Sequence, residues 1–479
     1  MKRHTLKILF LLSIFSFFPT IKTKALDLQS VLNLGLNVLV VETENGEEPT
    51  CDYVSPPAGS LGGGITNATK VPGSLKIYSP QGQLLYNSGE YEKSESGMTI
   101  KIRGNTSAYA SKKPYKIKLQ KKDDLLLRGD KKFNDKNWVL LNDNYLRLYT
   151  GFTVSRLLEE KWTPAGEYVN LIFNDDYRGI YYLVESIERN EKSRINVSES
   201  GFILEHDAYW WNEDGQYILS EFNPLLNYTF KYPDFTELDS SSKDYIIETM
   251  ADYERSLKDD SYPDYIDMES FAKFLLGHDI LGTWDGGGSN LYLSKYDDSP
   301  NSLIEAGPLW DFDTIEKNEG IWSGLHTGFN RFKYLFEGND SEFLKVYKGI
   351  WEKKGEEIYN GILSLIEDYR NEEKWKGYKL SSEATSKFWG KENDPKGAAD
   401  REEAWFRDRF EWLKEQLGDF NAKEDEDAGI DDLYGINNEK LIDVYNLQGV
   451  LLLKNVQKND LHILKKGIYI IDNKKVMIK

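Results

Sequence analysis

Alternation and helical spacing divide this chain into a β-rich first part and a helical part behind it. Tyr115, Ile117 and Leu119 alternate with Lys116 and Lys118 after Lys112-Lys113-Pro114, and a period of two predicts a strand with one apolar and one basic face. Asn33 to Thr43 reads as a first strand, and a glycine-turned hairpin ends with Gly179 to Glu185. Further on the period lengthens. Ile246, Met250, Tyr253 and Leu257 stripe a helix from about Ser242 to Leu257. Ser341 to Lys353 repeats that spacing, and Arg401 to Leu417 carries Phe406, Phe410, Leu413 and Leu417 on one face, with Gly418 positioned as its cap. These stripes are core, each large buried side chain contributing roughly 1.5–3 kcal/mol. The expected class is α+β, a mixed β lobe plus a helical lobe.

Candidate chemistry sits between the two parts. Asp285-Gly-Gly-Gly-Ser-Asn290 spaces an Asp and an Asn as a kinase catalytic loop does, and Asp311-Phe312-Asp313 follows about twenty residues later. Phosphoryl transfer needs one carboxylate to accept a hydroxyl proton, which suits Asp285. It also needs hard oxygen ligands for Mg²⁺, which suits Asn290 and Asp311, with Asp313 as an extra ligand. Two carboxylates about 4 Å apart repel by roughly 4 kcal/mol at an effective dielectric near 20, so Asp-x-Asp recruits a cation or a proton. Taken alone, Asp-x4-Asn reads first as a glycine-rich turn between a helix and a strand.

The wider series narrows the choice. Arg103-Gly-Asn105-Thr106-Ser107, the Lys112 to Leu119 run, Asn137-Trp-Val-Leu-Leu141, Gly179-Ile-Tyr-Tyr-Leu-Val-Glu185, Phe202-Ile-Leu-Glu205 and Trp310-Asp-Phe-Asp313 together resemble the CotH family of atypical protein kinases across roughly residues 36 to 330. The resemblance implies a two-lobed, protein-kinase-like domain that binds ATP with Mg²⁺ or Mn²⁺ and phosphorylates Ser residues of a protein substrate. By position, Asp285 matches the catalytic-loop Asp and Asp311 the metal-binding Asp. Lys118, with Lys116 second, is the choice for the phosphate-contacting ammonium, Glu185 for its orienting partner, and Arg103 and Asn105 for further cleft contacts. Two departures stand out. No Asn follows Arg147, and Thr314-Ile-Glu-Lys317 replaces an early Gly after the second Asp.

Composition sets the remaining bounds. The 479 residues carry a net charge of −19, which disfavours nucleic acid and anionic lipid as partners and requires any ATP cleft to be locally basic. Five His, one Cys and no His-Glu-x-x-His make zinc chemistry a poor fit; His206 and His278 read as structural residues, packed or exposed, and Cys51 cannot form an intramolecular disulfide. Gly59 to Gly64 reads as a flexible loop rather than a phosphate cradle, since no Gly-Lys-Ser/Thr follows.

At the start, Met1-Lys-Arg3, an apolar run from Ile8 to Phe18 and Ala25 predict a secretory signal over 1–25, and no later run is long enough for a transmembrane anchor. The kinase-like domain is assigned to 26–420, an acidic linker to 421–432, and a small β module to 433–479, with hairpins at Val444 to Leu453 and Gly467 to Lys479 and a turn near Asp472-Asn473. This last segment resembles the C-terminal sorting domain of the type IX secretion system of Bacteroidetes, which implies export to the cell surface or beyond through that machinery. A competing expectation follows from export, because ATP is scarce outside the cell. In it the chain is a non-catalytic surface protein on a kinase-like scaffold that binds glycans or host-cell ligands through its aromatic residues, Trp210 and Trp211 among them.

Overall fold

The computed structural model describes residues 26–479 apart from 59, 143–145, 223–224, 284–285, 287–289, 313–314, 316–329, 338–340, 391–394, 421–440, 447–448, 465–466, 472–473 and 479. Asp285, Asp313, the signal segment, the acidic linker and the Asp472-Asn473 turn therefore lie outside the described residues.

A short helix, α1 (Leu28–Leu32), comes first, capped by Asp27, whose Oδ1 accepts from the Ser30 amide at 2.8 Å. The expected first strand is correspondingly shorter. Ten strands follow: β1 (Val38–Thr43), β2 (Asp52–Val54), β3 (Gly64–Thr66), β4 (Val71–Tyr78), β5 (Leu84–Asn87), β6 (Met98–Ile102), β7 (Tyr115–Asp123), β8 (Asp135–Leu141), β9 (Gly166–Phe173) and β10 (Asp176–Glu185). Seven of them run in the order β1-β9-β10-β8-β7-β6-β4, and β4 pairs back onto β1, closing a barrel with β5 on its margin. Only β1 and β9 are parallel neighbours within that ring. The β9–β10 turn is made by Asn174 and Asp175, both with positive φ, as a tight hairpin requires; Gly179, expected at the turn, instead forms a bulge inside β10.

Closure gives each barrel strand an inside and an outside. Ile100, Ile117, Leu119, Trp138, Leu140, Tyr181 and Leu183 fill the interior. Val139, Tyr168, Ile180, Tyr182 and Val184 point outward into a second, larger core. That core is completed by helices α2 (Arg147–Leu157), α3 (Ser240–Lys258), α4 (Met268–Leu281), α5 (Glu342–Arg370) and α7 (Pro395–Leu417), while α6 (Glu372–Phe388) lies over β10 and accepts the Ile180 amide on Thr385 Oγ1 at 2.8 Å. The expected stripes are buried as assigned, Ile246, Met250, Tyr253 and Leu257 on α3 and Phe406, Phe410, Leu413 and Leu417 on α7, and Gly418 caps α7 by donating to the Lys414 carbonyl.

A second antiparallel sheet, ordered β12-β13-β11-β14-β15, is built from β11 (Phe202–Asp207), β12 (Tyr217–Ile218), β13 (Asn227–Tyr232), β14 (Leu291–Lys295) and β15 (Ile304–Ala306). One face, carrying Phe202, Leu204, Tyr228 and Leu293, joins the helical core. Near the end of the chain β16 (Ile442–Tyr445), β17 (Leu451–Val456), β18 (Gly467–Ile471) and β19 (Lys474–Ile478) form a four-stranded sheet around Ile442, Val444, Leu461, Ile471 and Val476. The α+β expectation holds: a barrel-like sheet with seven helices among the described residues.

Candidate functional site

Strand register decides which charges meet. On the outer face of the barrel, Lys101 of β6 lies directly opposite Lys116 of β7, and Thr99 lies opposite Lys118, which in turn faces Asn137 of β8. Lys70 directly precedes Val71, the partner of Ile100, and so flanks Lys101 from the other side. These six residues line a groove of about 210 Å³. Glu188 accepts from Lys116 Nζ at 2.9 Å and from Asn137 Nδ2 at 2.7 Å, and the Glu213 charge acts on Lys101. Burial, and then the ammonium groups of Lys116 and Lys70, push the Lys101 pKa down. Lys118 is exposed.

One row beyond Lys101 the barrel reaches the second sheet. Arg103, whose amide still donates to the Pro114 carbonyl, acts electrostatically on both Lys101 and the Tyr292 hydroxyl of β14. The following loop is tied across by Thr106 Oγ1, 2.9 Å from Tyr209 Oη. Gly62 to Gly64 do not form an open loop but close over this junction. A Cβ at Gly62 would lie 2.8 Å from the Tyr209 ring, and one at Gly64 would lie 3.1 Å from Asn105 Oδ1.

The facing side is acidic. Glu205 and Asp207 project from the same face of β11, with Tyr292 opposite Glu205 on β14. Lys231 donates to Glu205 Oε2 at 2.6 Å, and the Tyr209 amide donates to Asp207 at 2.7 Å. Burial, reinforced by the Glu205 charge, raises the Asp207 carboxyl to about 7, whereas Glu205 and Asp207 raise Lys231 despite its burial.

Two of the expected metal ligands issue from the same end of this sheet. Asn290 immediately precedes Leu291, the partner of His206, and so stands beside Asp207 at the strand end. Across β14, the Gly307 amide donates to the Tyr292 carbonyl, and the chain runs on through Pro308 to Asp311. Both Asn290 and Asp311 adopt left-handed backbone, φ 59° and 63°, which is costly for a side chain other than Gly and for Asp more than for Asn. Asp311 is held between two buried aromatics, Trp310 and Phe312. Phe312 is seated edge-on against Phe152 of α2, centroids 5.0 Å apart, over Gly151.

The flank of Asp285 is equally fixed. His278 near the end of α4 is fully buried with its Nδ1 2.5 Å from Thr283 Oγ1, and Gly286 packs on the imidazole ring so closely that a Cβ would lie 2.4 Å from it. His206 is likewise buried, against Tyr228, so of the two structural readings, packed or exposed, both histidines take the packed one. Among the described residues no three His, Cys, Asp or Glu side chains gather as a metal cage.

One expected pair is not brought together. Glu185 lies opposite Trp138 on the interior side of the barrel, where its Oε1 accepts from Arg128 at 2.8 Å and its Oε2 from the Ala165 amide at 3.0 Å. Lys116 and Lys118 share the pleat of Val139 and Asn137 on the outside, so Glu185 cannot orient Lys118; the glutamate that reaches this face is Glu188, and it takes Lys116. The sequence alone assigns no role to Lys70, Lys101, Glu205 or Asp207. Lys101 was accessible to it, since Thr99-Ile-Lys-Ile102 alternates as clearly as the Lys116 strand. Glu205 enters the sequence reading only as the end of the Phe202-Ile-Leu-Glu205 segment, with no role attached, and Asp207 carries no signal beyond an ordinary strand face.

No curated protein matches the chain. The profile of a family described as CotH kinase protein matches residues 100–373, from within β6 to the start of α6, which takes in Lys101, Lys116, Lys118 and Asn137 of the groove, Arg103, Glu205 and Asp207, and the Asp285 and Asp311 segments, but not Lys70 or Thr99. By that match, covering more than half of its length, the chain belongs to the CotH kinase protein family.

Proposed function

We propose that this chain transfers the γ-phosphate of ATP to serine side chains of a protein substrate, with Mg²⁺ or Mn²⁺ as the metal. The observation that carries the reading is the meeting of Arg103, just past β6, with the acidic face of the second sheet at Tyr292 and Glu205, with Asn290 and Asp311 leaving the same end of that sheet. The donor set fits the metal: hard oxygens from Asn290 and Asp311, joined by Asp313, suit an ion that keeps several waters and shares phosphate oxygens, so a cage of three protein carboxylates is not needed. When bound, the metal and nucleotide supply the phosphoryl group and neutralise its charge. Asp285 accepts the serine proton as the Ser Oγ–P bond forms and the P–O bond to ADP breaks. Arg103, on the row nearest the acidic face, meets the phosphates, and Asn105 braces the loop that carries it. The barrel and the helical layer take the parts of the two kinase lobes, and export, with the C-terminal sheet as the sorting module, belongs to the same reading.

Two measurements test it. ATP with Mg²⁺ or Mn²⁺ at a hundred times its dissociation constant is expected to add roughly 2.7 kcal/mol of stability in a thermal shift. Transfer of labelled γ-phosphate to a Ser-rich protein is expected to fall at least about a hundredfold in Asp285→Ala and in Asp311→Ala. Equal labelling by wild type and both variants would falsify the assignment.

The second reading, a non-catalytic glycan-binding surface protein, draws on one feature: Tyr53 and Tyr109 sit with ring centroids 4.4 Å apart, each about half exposed at 47% and 49%. Trp210 and Trp211 give it less support, being partly buried, with Trp210 packed on Tyr217. Sugar binding retained in a variant lacking both Asp285 and Asp311, together with no phosphate transfer by wild type, is the result that favours it.

A further inference from the structure

The lysine groove is more strongly charged, and lies further out, than a nucleotide alone explains. Lys101 and Lys116 are direct cross-strand partners, an arrangement of like charges that destabilises a sheet unless something anionic lies over it. Lys70 adds a third ammonium in the same row and Lys118 a fourth in the next; Glu188 pairs with Lys116 and Glu213 acts on Lys101, which leaves the groove in excess of positive charge. Around this face the molecule carries a net charge of −19, so an anion repelled elsewhere finds its attraction here.

Position argues against the transferred phosphate as the occupant. Neither Asn290 nor Asp311, nor any residue of the second sheet, lines the groove. Going outward from the acidic face, the rows are Arg103, then Lys101 with Lys116, then Thr99 with Lys118. Alternate residues of a strand are about 6.6 Å apart, so the Lys118 row stands roughly 13 Å from Arg103. That is the span of about four residues of extended peptide, with the reacting centre at one end and ammonium groups along the way.

We propose that the groove formed by Lys70, Lys101, Lys116 and Lys118 docks an anionic segment of the acceptor protein, carrying carboxylate or phosphate side chains two to four residues from the serine presented to Asp285. The proposal rests on the kinase reading and adds the substrate class to it. The lysines hold the segment by charge-assisted hydrogen bonds, Thr99 and Asn137 offer neutral partners between them, and the fall in mutual lysine repulsion on binding adds to the affinity.

The test uses the full chain and three serine peptides of one length, with glutamate, phosphoserine or glutamine at those positions. In steady-state phosphorylation with ATP and Mg²⁺, the two anionic peptides are expected to show a KM at least about tenfold below that of the glutamine peptide, a gap that narrows as salt rises. In Lys70→Gln/Lys101→Gln the KM values are expected to converge, chiefly by a rise for the anionic peptides. Fluorescence anisotropy of the glutamate peptide without nucleotide reads docking independently of catalysis, and the double variant is expected to bind it at least about tenfold more weakly. Equal KM values in wild type sink the docking inference and leave the kinase reading standing. Loss of the ATP thermal shift in the double variant, with the peptide preference intact, assigns the groove to the nucleotide and overturns it. If no peptide is phosphorylated and ATP produces no shift, the kinase reading fails, and anisotropy alone decides whether the groove takes anionic peptide. A preference for phosphoserine over glutamate identifies the anion as phosphate; the reverse identifies it as carboxylate.

Discussion

Lys101 is the residue at which function and stability pull apart most clearly. It faces Lys116 across the β6–β7 ladder and feels Lys70 from the other side, and burial disfavours its charge further. Cross-strand pairs of like charge cost a few tenths to about 1 kcal/mol, so a residue chosen only for the fold would not be lysine there. Lys101→Gln is therefore expected to stabilise the free protein by roughly 0.2–1 kcal/mol in urea unfolding at low ionic strength, with the gain shrinking in high salt. A loss of stability would mean that Lys101 makes attractive contacts that outweigh its neighbours. The acidic face shows the complementary strain: burial, and then the Glu205 charge on the same side of the strand, raises the Asp207 carboxyl to about 7.

Among the elements, α2 bears most directly on the site. It grips the segment around Asp311 at two points: Phe312 lies against Gly151, and Glu160, just past the helix, accepts the Leu309 amide at 3.1 Å. An alanine at 151 would set its Cβ 2.3 to 2.4 Å from the Phe312 ring, so Gly151→Ala is expected to cost about 1–3 kcal/mol by overpacking. It is also expected to lower phosphoryl transfer on the order of a hundredfold, even where the protein remains folded, because Phe312 moves Asp311 with it. Gly349→Ala, in an exposed turn of α5 with nothing within 4 Å, is the control and should stabilise by up to about 1 kcal/mol. Full activity in a destabilised Gly151→Ala would reduce Phe312 to a packing residue. Elements with one wet face were legible in the sequence, such as α3, α7 and β7, because solvent imposes a period on them. Neither the bounds of α2 nor those of α4 were, since both are buried nearly all round and carry no stripe; α4 enters the sequence reading only as the helix ahead of the Asp285 turn. The pairing of Lys118 with Glu185 failed for a related reason: each strand was readable alone, but which side of β10 faces outward depends on the long-range register of Val184 with Val139.

Over the molecule as a whole, carboxyl groups held neutral by burial set the direction of its pH dependence. Glu160 is raised from 4.5 to about 7 by burial, against opposing contributions from the Ser155 hydroxyl, the Leu309 amide and the Lys273 charge, and its Oε1 has no hydrogen-bond partner among the described residues. Burial raises Glu167 equally, Arg128 lowering and Asp124 adding to the effect. Between pH 4.5 and 7 the folded chain therefore binds protons at these positions that the unfolded chain has released, and stability falls as the pH rises. The contribution is fully present below about 4.5 and is lost as the pH climbs through about 7, on the order of 3 kcal/mol per group as an upper bound. The net charge of −19 pushes in the same direction, since self-repulsion grows as carboxyls ionise. The exposed Asp234 and Asp239, lowered by hydrogen bonds, act oppositely but only below about 4, outside this window. Urea unfolding is thus expected to give a lower stability at pH 7.5 than at pH 5. In Glu160→Gln, which keeps an acceptor for the Leu309 amide and cannot ionise, the difference between the two pH values should shrink by about a quarter, because burial also raises Glu167, Asp207 and Glu402 to about 7. A stability that rises over that interval, or a slope untouched by Glu160→Gln, would show that this carboxyl is ionised in the folded protein and that the segment leading to Asp311 is held by a charge instead of a neutral hydrogen bond.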